Sequence, residues 1–315
     1  MYDLIIIGGG PAGMTAAIYA ARKKLNTLVL TGNIGGQTLW SSEVDNYLGF
    51  QLVSGADLVG KFRAHIKRLD EENALFDLEI KEGAEIKKAK SVESGGFEVE
   101  TAVGEKYQAA ALIIASGKIP RKLNVPGEDK FIGHGVTYCA TCDAPLFRGK
   151  DVAVVGGGNS ALDAAIQLSK IANKVYLINI NPELGGDEVM REKIESTKEK
   201  VEILNAHETL EIKGGQFVTD LVVKDITSGE SRELAVQGVF VEIGSIPSTG
   251  FVKNLVKLNE WGEIIIDPQT NGTSEPGIFA AGDVTNVREK QIVIAAGEGA
   301  KAALAAYDYL LRAKK

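Results

Sequence analysis

Two stretches of the chain share one pattern: a continuous apolar run, a cluster of glycines, then apolar residues at helical spacing and a second apolar run. The first is "YDLIIIGGGPAGMTAAIYAARKKLNTLVLTG", from Tyr2 to Gly32. The second is "VAVVGGGNSALDAAIQLSKIANKVYLINI", from Val152 to Ile180. Apolar runs without alternation are expected of parallel strands buried on both faces. The segment after each glycine cluster keeps small residues near the turn, which lets a helix pack closely on its strand. Each stretch therefore predicts strand, turn, helix, strand. Between them, "GFEVETAVGEKYQAAALIIASG" contains shorter strand candidates, and "KFRAHIKRLDEE" interleaves acids and bases as a solvated helix does. The alanine-rich tail "IVIAAGEGAKAALAAYDYLLRAKK" reads as a packing helix.

Proline-containing segments, "SGKIPRKLNVPG" and "IGSIPST", flank the second unit and read as crossings between domains. The predicted fold is α/β: two doubly wound Rossmann-like nucleotide-binding domains, the second inserted in the first. The first is discontinuous, 1–117 with 246–315, and the inserted one spans 118–245.

The glycine spacing carries the chemistry. One G-x-G-x-x-G is a weak signal, but two in this strand–helix context are strong. Gly8, Gly10 and Gly13 permit a tight turn, close backbone approach to a pyrophosphate and close helix packing. The helix N-terminus behind them points unpaired N–H groups at phosphate oxygens. Pro11 suits the first helical position, where its missing N–H would be unbonded anyway. Gly156, Gly158 and Ala161 repeat the pattern. In such units the tip of the second strand usually holds an acid for NAD or neighbouring bases for NADP. Here the second unit ends in Asn179.

Composition narrows the function. The net charge of −7 argues against a nucleic-acid binder, which should be basic. No apolar run reaches the roughly 18 residues of a membrane helix. The N-terminus leads straight from an apolar run into a glycine turn, so it reads as a first strand rather than a signal peptide, and a soluble cytoplasmic protein is expected. The only two cysteines, Cys139 and Cys142, form a single C-x-x-C. No metal site is expected, because His65, His134 and His207 are far apart in sequence and a structural zinc needs four ligands. C-x-x-C spacing lowers thiol pKa and suits reversible disulfide chemistry. His134, in "GHGVTYC", is weighed as a base, although a glycine-flanked histidine is more often a loop residue.

Taken in order, the glycine fingerprint, "TGNIGGQ", "ASG", "YCATCD", the second fingerprint and "GIFAAGDV" resemble the low-molecular-weight thioredoxin reductases over the entire length. The chain is equally similar to the flavoprotein component of alkyl hydroperoxide reductase without its N-terminal disulfide domain. "CDAPLFRGK", "IPRKLNVPGED" and "QIVIAAGEGAKAAL" lean toward the latter. The resemblance implies an FAD-dependent thioredoxin-disulfide reductase. FAD would be held by Gly8, Gly10, Pro11, Ala12 and Gly13, with Thr31, Gly36, Gln37, Asn46, Ala115 and Gly117 at matching flavin positions. Asp283 would bond the ribityl chain beside Gly282, and Gln291 and Ile292 would lie by the ring. Cys142 would face the flavin, Cys139 would attack the protein substrate, and Asp143 would act as general acid. Asp143 also reads as a helix N-cap, a role compatible with the first. The implied partner is thioredoxin or a thioredoxin-like protein, and the implied assembly is a homodimer. The inserted domain would swing about Gly117–Pro120 and Gly244–Pro247.

The electron donor is the open point. The NADPH-dependent relatives carry an "HRR…R" run that clamps the 2′-phosphate, and arginine is needed there because its planar fork bonds phosphate bidentately. This chain has no basic residue from Ile178 to Met190. NADH is the expected donor, with Asn179 in place of the glutamate that would bond both ribose hydroxyls. The alternative is a ferredoxin-type donor with a non-functional pyridine-nucleotide site, as in some flavin thioredoxin reductases. Lys61, Arg63, Lys67, Arg68, Lys87, Lys88 and Lys90 would then offer a basic docking surface. Two further readings are a reductase for a peroxiredoxin system and a non-enzymatic flavin redox sensor. The intact C-A-T-C-D counts against the sensor, which has no use for two thiols and an acid.

Overall fold

The computed structural model describes residues 1–40, 44, 46–72, 77–93 and 95–313, with the side chains of positions 40, 70–72, 141 and 142 outside the description. The chain opens with β1 (Tyr2–Gly9), α1 (Pro11–Arg22) and β2 (Thr27–Ile34), followed by α2 (Gly55–Glu72) and β3 (Leu78–Glu82). Then come β4 (Ile86–Ser91), β5 (Phe97–Thr101), β6 (Lys106–Ile114) and the crossing strand β7 (Lys118–Pro120). The middle of the chain forms α3 (Glu128–Phe131), β8 (Val136–Thr137), α4 (Ala140–Asp143), β9 (Asp151–Val155), α5 (Asn159–Ser169) and β10 (Lys174–Ile178). It continues with α6 (Glu188–Glu195), β11 (Val201–Leu204), β12 (His207–Gly214), β13 (Val218–Asp225), β14 (Ser231–Ala235) and β15 (Gly238–Val241). The return crossing β16 (Ser245–Pro247) leads to β17 (Ile278–Ala280) and α7 (Ile292–Ala313).

Two units result: Met1–Ile119 with Ile246–Lys315, and Pro120–Ser245. In the first, a seven-stranded sheet runs in the order β3-β2-β1-β6-β5-β4, with β17 also on β6. The strands β3, β2, β1, β6 and β17 are parallel, whereas β4 and β5 add antiparallel pairs. The unbroken apolar run of β1 has a direct cause. Leu4 and Ile6 pack into a cluster with alanines of α1 and α7. Ile5 and Ile7 face the opposite cluster, with Leu28, Val99, Val252 and Ile264. Each such side chain contributes about 1.5–3 kcal/mol on burial.

The second unit repeats this logic on the five-stranded parallel sheet β11-β10-β9-β15-β8. Val152 and Val154 of β9 face α5 through Leu162, Ala165 and Leu168. Ala153 and Val155 face Leu221, Val223 and Leu234 of a separate antiparallel sheet, β12-β13-β14. Thus one face is covered by helix and the other by strands. Among the described residues, no helix is long and apolar enough to cross a membrane.

Candidate active site

The first glycine turn joins β1 to α1. Gly8 has φ 116°, and a Cβ there would fall 2.2 Å from the Ala115 carbonyl oxygen. A Cβ on Gly13 would fall 1.9 Å from the Gly8 oxygen, so both positions exclude a side chain through internal contact. Gly10 differs. Its φ of −74° suits any residue, and a Cβ there would meet no protein atom within 4 Å. No described protein atom requires glycine at this position, whereas a pyrophosphate lying against the backbone would. Pro11 and Ala12 start α1, and the buried Ala115 and the neighbouring Gly117 close the other side of the turn after β6.

The remaining residues expected near a flavin lie in the same unit. The buried Thr31 donates its hydroxyl to the Asn33 carbonyl at 2.6 Å, and the Asn33 side chain accepts from the Gly36 N–H at 3.1 Å. Gln37 donates its amide to the Lys118 carbonyl. Asn46 and Gln291, 245 residues apart, are joined by a 3.0 Å side-chain bond just before Ile292 begins α7. Asp283 follows the buried Gly282, and burial pushes its carboxyl above the ordinary value against the nearby charges of Lys290 and Lys118. None of the hydrogen bonds among the described residues ends on the Asp283 carboxylate, which is therefore placed to accept hydroxyl donors. On these observations FAD fits the residues present.

Two features here escaped sequence reading. Glu298, 7% exposed on α7, accepts the Gly282 N–H at 2.6 Å and so fixes the loop carrying Asp283. Burial raises its pKa. Glu263 joins Lys118 at 2.6 Å and Lys290 at 3.4 Å. Burial opposes its charge, yet the bonds from Lys118 and Asn259 hold it below the ordinary value. Burial pulls Lys290 down. An acid on the inner face of an alanine-rich helix was the available signal for Glu298; the lysine pair has none.

The dithiol turn lies in the second unit. Cys139 is disulfide-bonded and occupies the N-cap of α4. The side chain of Cys142 lies outside the described residues. Thr137 organises the turn: its hydroxyl donates to the Asp143 carboxylate and accepts from the Cys139 N–H at 3.2 Å. The Asp143 N–H in turn donates to the Cys139 carbonyl at 3.1 Å. Asp143 stands at the N-cap position of the short helical turn Ala144–Phe147, as the N-cap reading has it, but its side chain caps no amide there, and the Thr137 hydroxyl of β8 engages it instead. On the other side, the Glu242 carboxylate accepts the Ala140 N–H at 3.3 Å. His134 is exposed, with its Nδ1 3.3 Å from the Ile132 carbonyl and its ring against Phe217. That is a loop role.

The second glycine turn joins β9 to α5. A Cβ on Gly156, φ 146°, would meet the Glu242 carbonyl at 2.3 Å and the buried Ala161 at 2.9 Å. Gly158, φ −95°, faces nothing within 4 Å, as Gly10 does. Asn179, however, is 1% exposed and turned inward. Its amide nitrogen lies 3.0 Å from the Asn181 carbonyl, 2.8 Å from the Glu183 carbonyl and 2.9 Å from the Asn205 Oδ1. Its Oδ1 accepts the Asn181 N–H at 3.2 Å. The loop that follows returns to the turn, where the Asn159 Oδ1 accepts the Asp187 N–H at 2.8 Å.

Of the candidate docking cations, Arg63 pairs with Glu82 through both guanidinium nitrogens, Lys87 with Glu100 and Lys90 with Glu98. Their positive charge is thereby largely matched by neighbouring carboxylates.

Residues 2–299 match the family described as pyridine nucleotide-disulphide oxidoreductase. The chain is 44% identical over 314 residues to a component of the alkyl hydroperoxide reductase of Escherichia coli strain K12, covering 99% of this chain and 59% of that protein. It is 41% identical over 312 residues to a Bacillus subtilis strain 168 protein named NADH dehydrogenase, again covering 99% and 59%. Among solved structures, thioredoxin reductase from Streptococcus pyogenes is similar with a TM-score of 0.83, 35% identity and 99% of each chain covered. The chain thus spans about three fifths of the length of these two curated relatives, 59% in each case.

Proposed function

The chain belongs to the pyridine nucleotide-disulphide oxidoreductase family, and from that membership we propose that it is a flavin-dependent disulfide reductase acting on thioredoxin or a thioredoxin-like protein. The observation that carries this reading is the disulfide-bonded Cys139 at the head of α4, tied to Thr137 and Asp143. Bound FAD would supply the two-electron carrier between an external donor and the disulfide. Gly8, Gly10, Gly13 and the first amides of α1 would hold its pyrophosphate, while Asp283 would accept hydrogen bonds from its hydroxyl groups. Gln37, Asn46 and Gln291 present amides around the same loops.

Once the pair is reduced, the Cys139 thiolate attacks a disulfide of the protein substrate. A Cys139–substrate bond forms and one substrate sulfur leaves, taking its proton from Asp143. Cys142, passing its proton to the now ionised Asp143, then attacks the Cys139 sulfur as a thiolate. The second substrate sulfur leaves, and the Cys139–Cys142 disulfide is restored with no net oxidant left over. Thr137 keeps the Asp143 carboxyl beside the turn throughout. The likeness to an alkyl hydroperoxide reductase component makes a peroxide-reducing system a fitting consumer of such electrons.

NADH is the donor we favour over NADPH, because no cation between Ile178 and Met190 is available for a 2′-phosphate and one relative is named an NADH dehydrogenase. A ferredoxin-type donor is the second reading. It is favoured by Asn179, whose amide is engaged by its own turn and does not face a ribose. Anaerobic mixing of the yellow protein with NADH, NADPH and reduced ferredoxin in turn decides the donor. Stoichiometric bleaching by NADH with later reduction of thioredoxin supports the first reading. Bleaching by ferredoxin alone selects the second. Bleaching without any disulfide reduction contradicts the reductase and leaves a sensor.

A further inference from the structure

Glu242 is an acid of the second unit that neither the sequence motifs nor the proposed cycle uses. It follows β15 directly, beside the end of β9, where its backbone carbonyl is the atom that forbids a side chain on Gly156. Its side chain reaches the other way. Across 102 residues it accepts the Ala140 N–H at 3.3 Å, and Ala140 stands between the two cysteines. Among the described residues, that amide is its single hydrogen-bond partner and no lysine, arginine or histidine pairs with it.

The surroundings work against its charge. β9 and β15 present apolar residues, Val154, Val155, Phe240 and Val241, all buried. From α5, Asp163 adds a like charge. The dithiol turn contributes Cys139 and Asp143, both of which carry negative charge when ionised. Burial, followed by the smaller effect of Asp163, pushes Glu242 up to about 7 against the opposing Ala140 bond. Glu242 therefore changes charge in the pH range where a C-x-x-C thiol also ionises.

We propose that Glu242 is a proton-linked positioning residue for the Cys139–Cys142 pair: it holds the Ala140 amide, and its charge, acting through that turn, sets how readily Cys139 ionises. An unpaired carboxylate beside the turn raises the cost of a thiolate, because two like charges share one poorly solvated site. It also occupies an amide whose dipole would otherwise favour the thiolate. When Glu242 is protonated the charge repulsion falls away, although its carbonyl oxygen still accepts the Ala140 amide, and the thiolate becomes easier to form. The two titrations are coupled, so each belongs to the pair and not to one residue. The inference rests on the reading of Cys139 and Cys142 as a redox dithiol.

The test is the pH dependence of Cys139 alkylation by iodoacetamide in the flavin-loaded protein after phosphine reduction, with the labelled peptide identified by mass. The wild-type profile should rise in two steps. Glu242→Gln keeps an acceptor for the Ala140 N–H and removes the charge. It should give a single step at lower pH. A tenfold gain in thiolate is partly offset by the weaker nucleophilicity of a more acidic thiol, leaving about a threefold faster reaction at pH 7. Profiles of wild type and Glu242→Gln that superimpose would overturn the proposal. If the variant does not fold, the wild-type curve decides, and a single-step curve overturns it. The measurement needs no electron transfer from flavin. Failure of the reductase reading would appear separately, as a reduced flavin that never opens the Cys139 disulfide.

Discussion

The two glycine turns of this chain are built alike, and the likeness extends to a position that sequence motifs assign to ligand binding. In both, the first glycine is closed by a carbonyl of a neighbouring segment and the third is open. In both, the middle glycine is backed by a residue of the second strand or its end, Thr31 within β2 and Asn179 just beyond β10. A Cβ on Gly9 would fall 2.6 Å from the Thr31 hydroxyl, and one on Gly157 would fall 2.2 Å from the Asn179 Oδ1. Each of these residues also bonds the residue two positions on, Asn33 and Asn181 respectively. They differ in how deeply they are tied. Thr31 makes one such bond, whereas Asn179 bonds three residues, Asn181 and Glu183 of its own loop and Asn205 after β11. A strand-tip residue can thus be a turn cap first and a ribose ligand second.

The largest expected effect separates the two turns. Gly10→Val and Gly158→Val each place a side chain where the backbone permits it and where its Cβ meets no protein atom within 4 Å. Gly10→Val should fold yet purify colourless, with flavin affinity down at least about 100-fold, the loss of roughly 3 kcal/mol of pyrophosphate contact. Gly158→Val should keep its flavin and lose only its response to a nucleotide. Absorbance at the flavin band and circular dichroism read both outcomes. A yellow Gly10→Val protein would break the comparison.

Next in size is Asn179→Ala. It leaves two carbonyls, an N–H and the Asn205 side chain without their partner in a buried place, at a cost of about 2–4 kcal/mol. Urea unfolding would register this. A loss below about 1 kcal/mol would mean that solvent replaces these bonds and that Asn179 is free to serve a ligand. Thr31→Val, with one hydroxyl bond at stake, should cost only about 1 kcal/mol.

Much of this was legible in the sequence, and the reason is local. The apolar runs of β1 and β9 predict buried parallel strands because each face of those strands is covered. The glycines predict turns, and the alanine periodicity predicts α7. What sequence could not yield depends on partners far away along the chain. Glu242 meets Ala140 across 102 residues, and Asn46 meets Gln291 across 245. The inward turn of Asn179 depends on Asn205, which no motif contains. The sheet β12-β13-β14 covers a face expected to hold helices, and its polar outer positions gave no distinctive period.

A pH-dependent effect is expected on the dithiol side of the second turn. The folded value of Glu242, about 7, lies above the ordinary 4.5, so the folded protein binds this proton more tightly than the unfolded chain. The stability this confers is complete below pH 4.5 and is lost as the pH rises through 7. Glu242→Gln should therefore match wild type near pH 4 and exceed it by up to about 3 kcal/mol at pH 8. Urea midpoints at the two pH values test the sign. A variant less stable than wild type at pH 8 would show that the ionised carboxylate is stabilising where it sits.

The proposed cycle requires that flavin and the Cys139 disulfide exchange electrons. Anaerobic titration of the flavin-loaded protein with dithionite measures this without reference to the natural donor. If the disulfide accepts electrons from the flavin, wild type will consume about two two-electron equivalents before the flavin is fully bleached, and Cys139→Ser about one. Equal consumption of about one equivalent by both proteins would contradict the account.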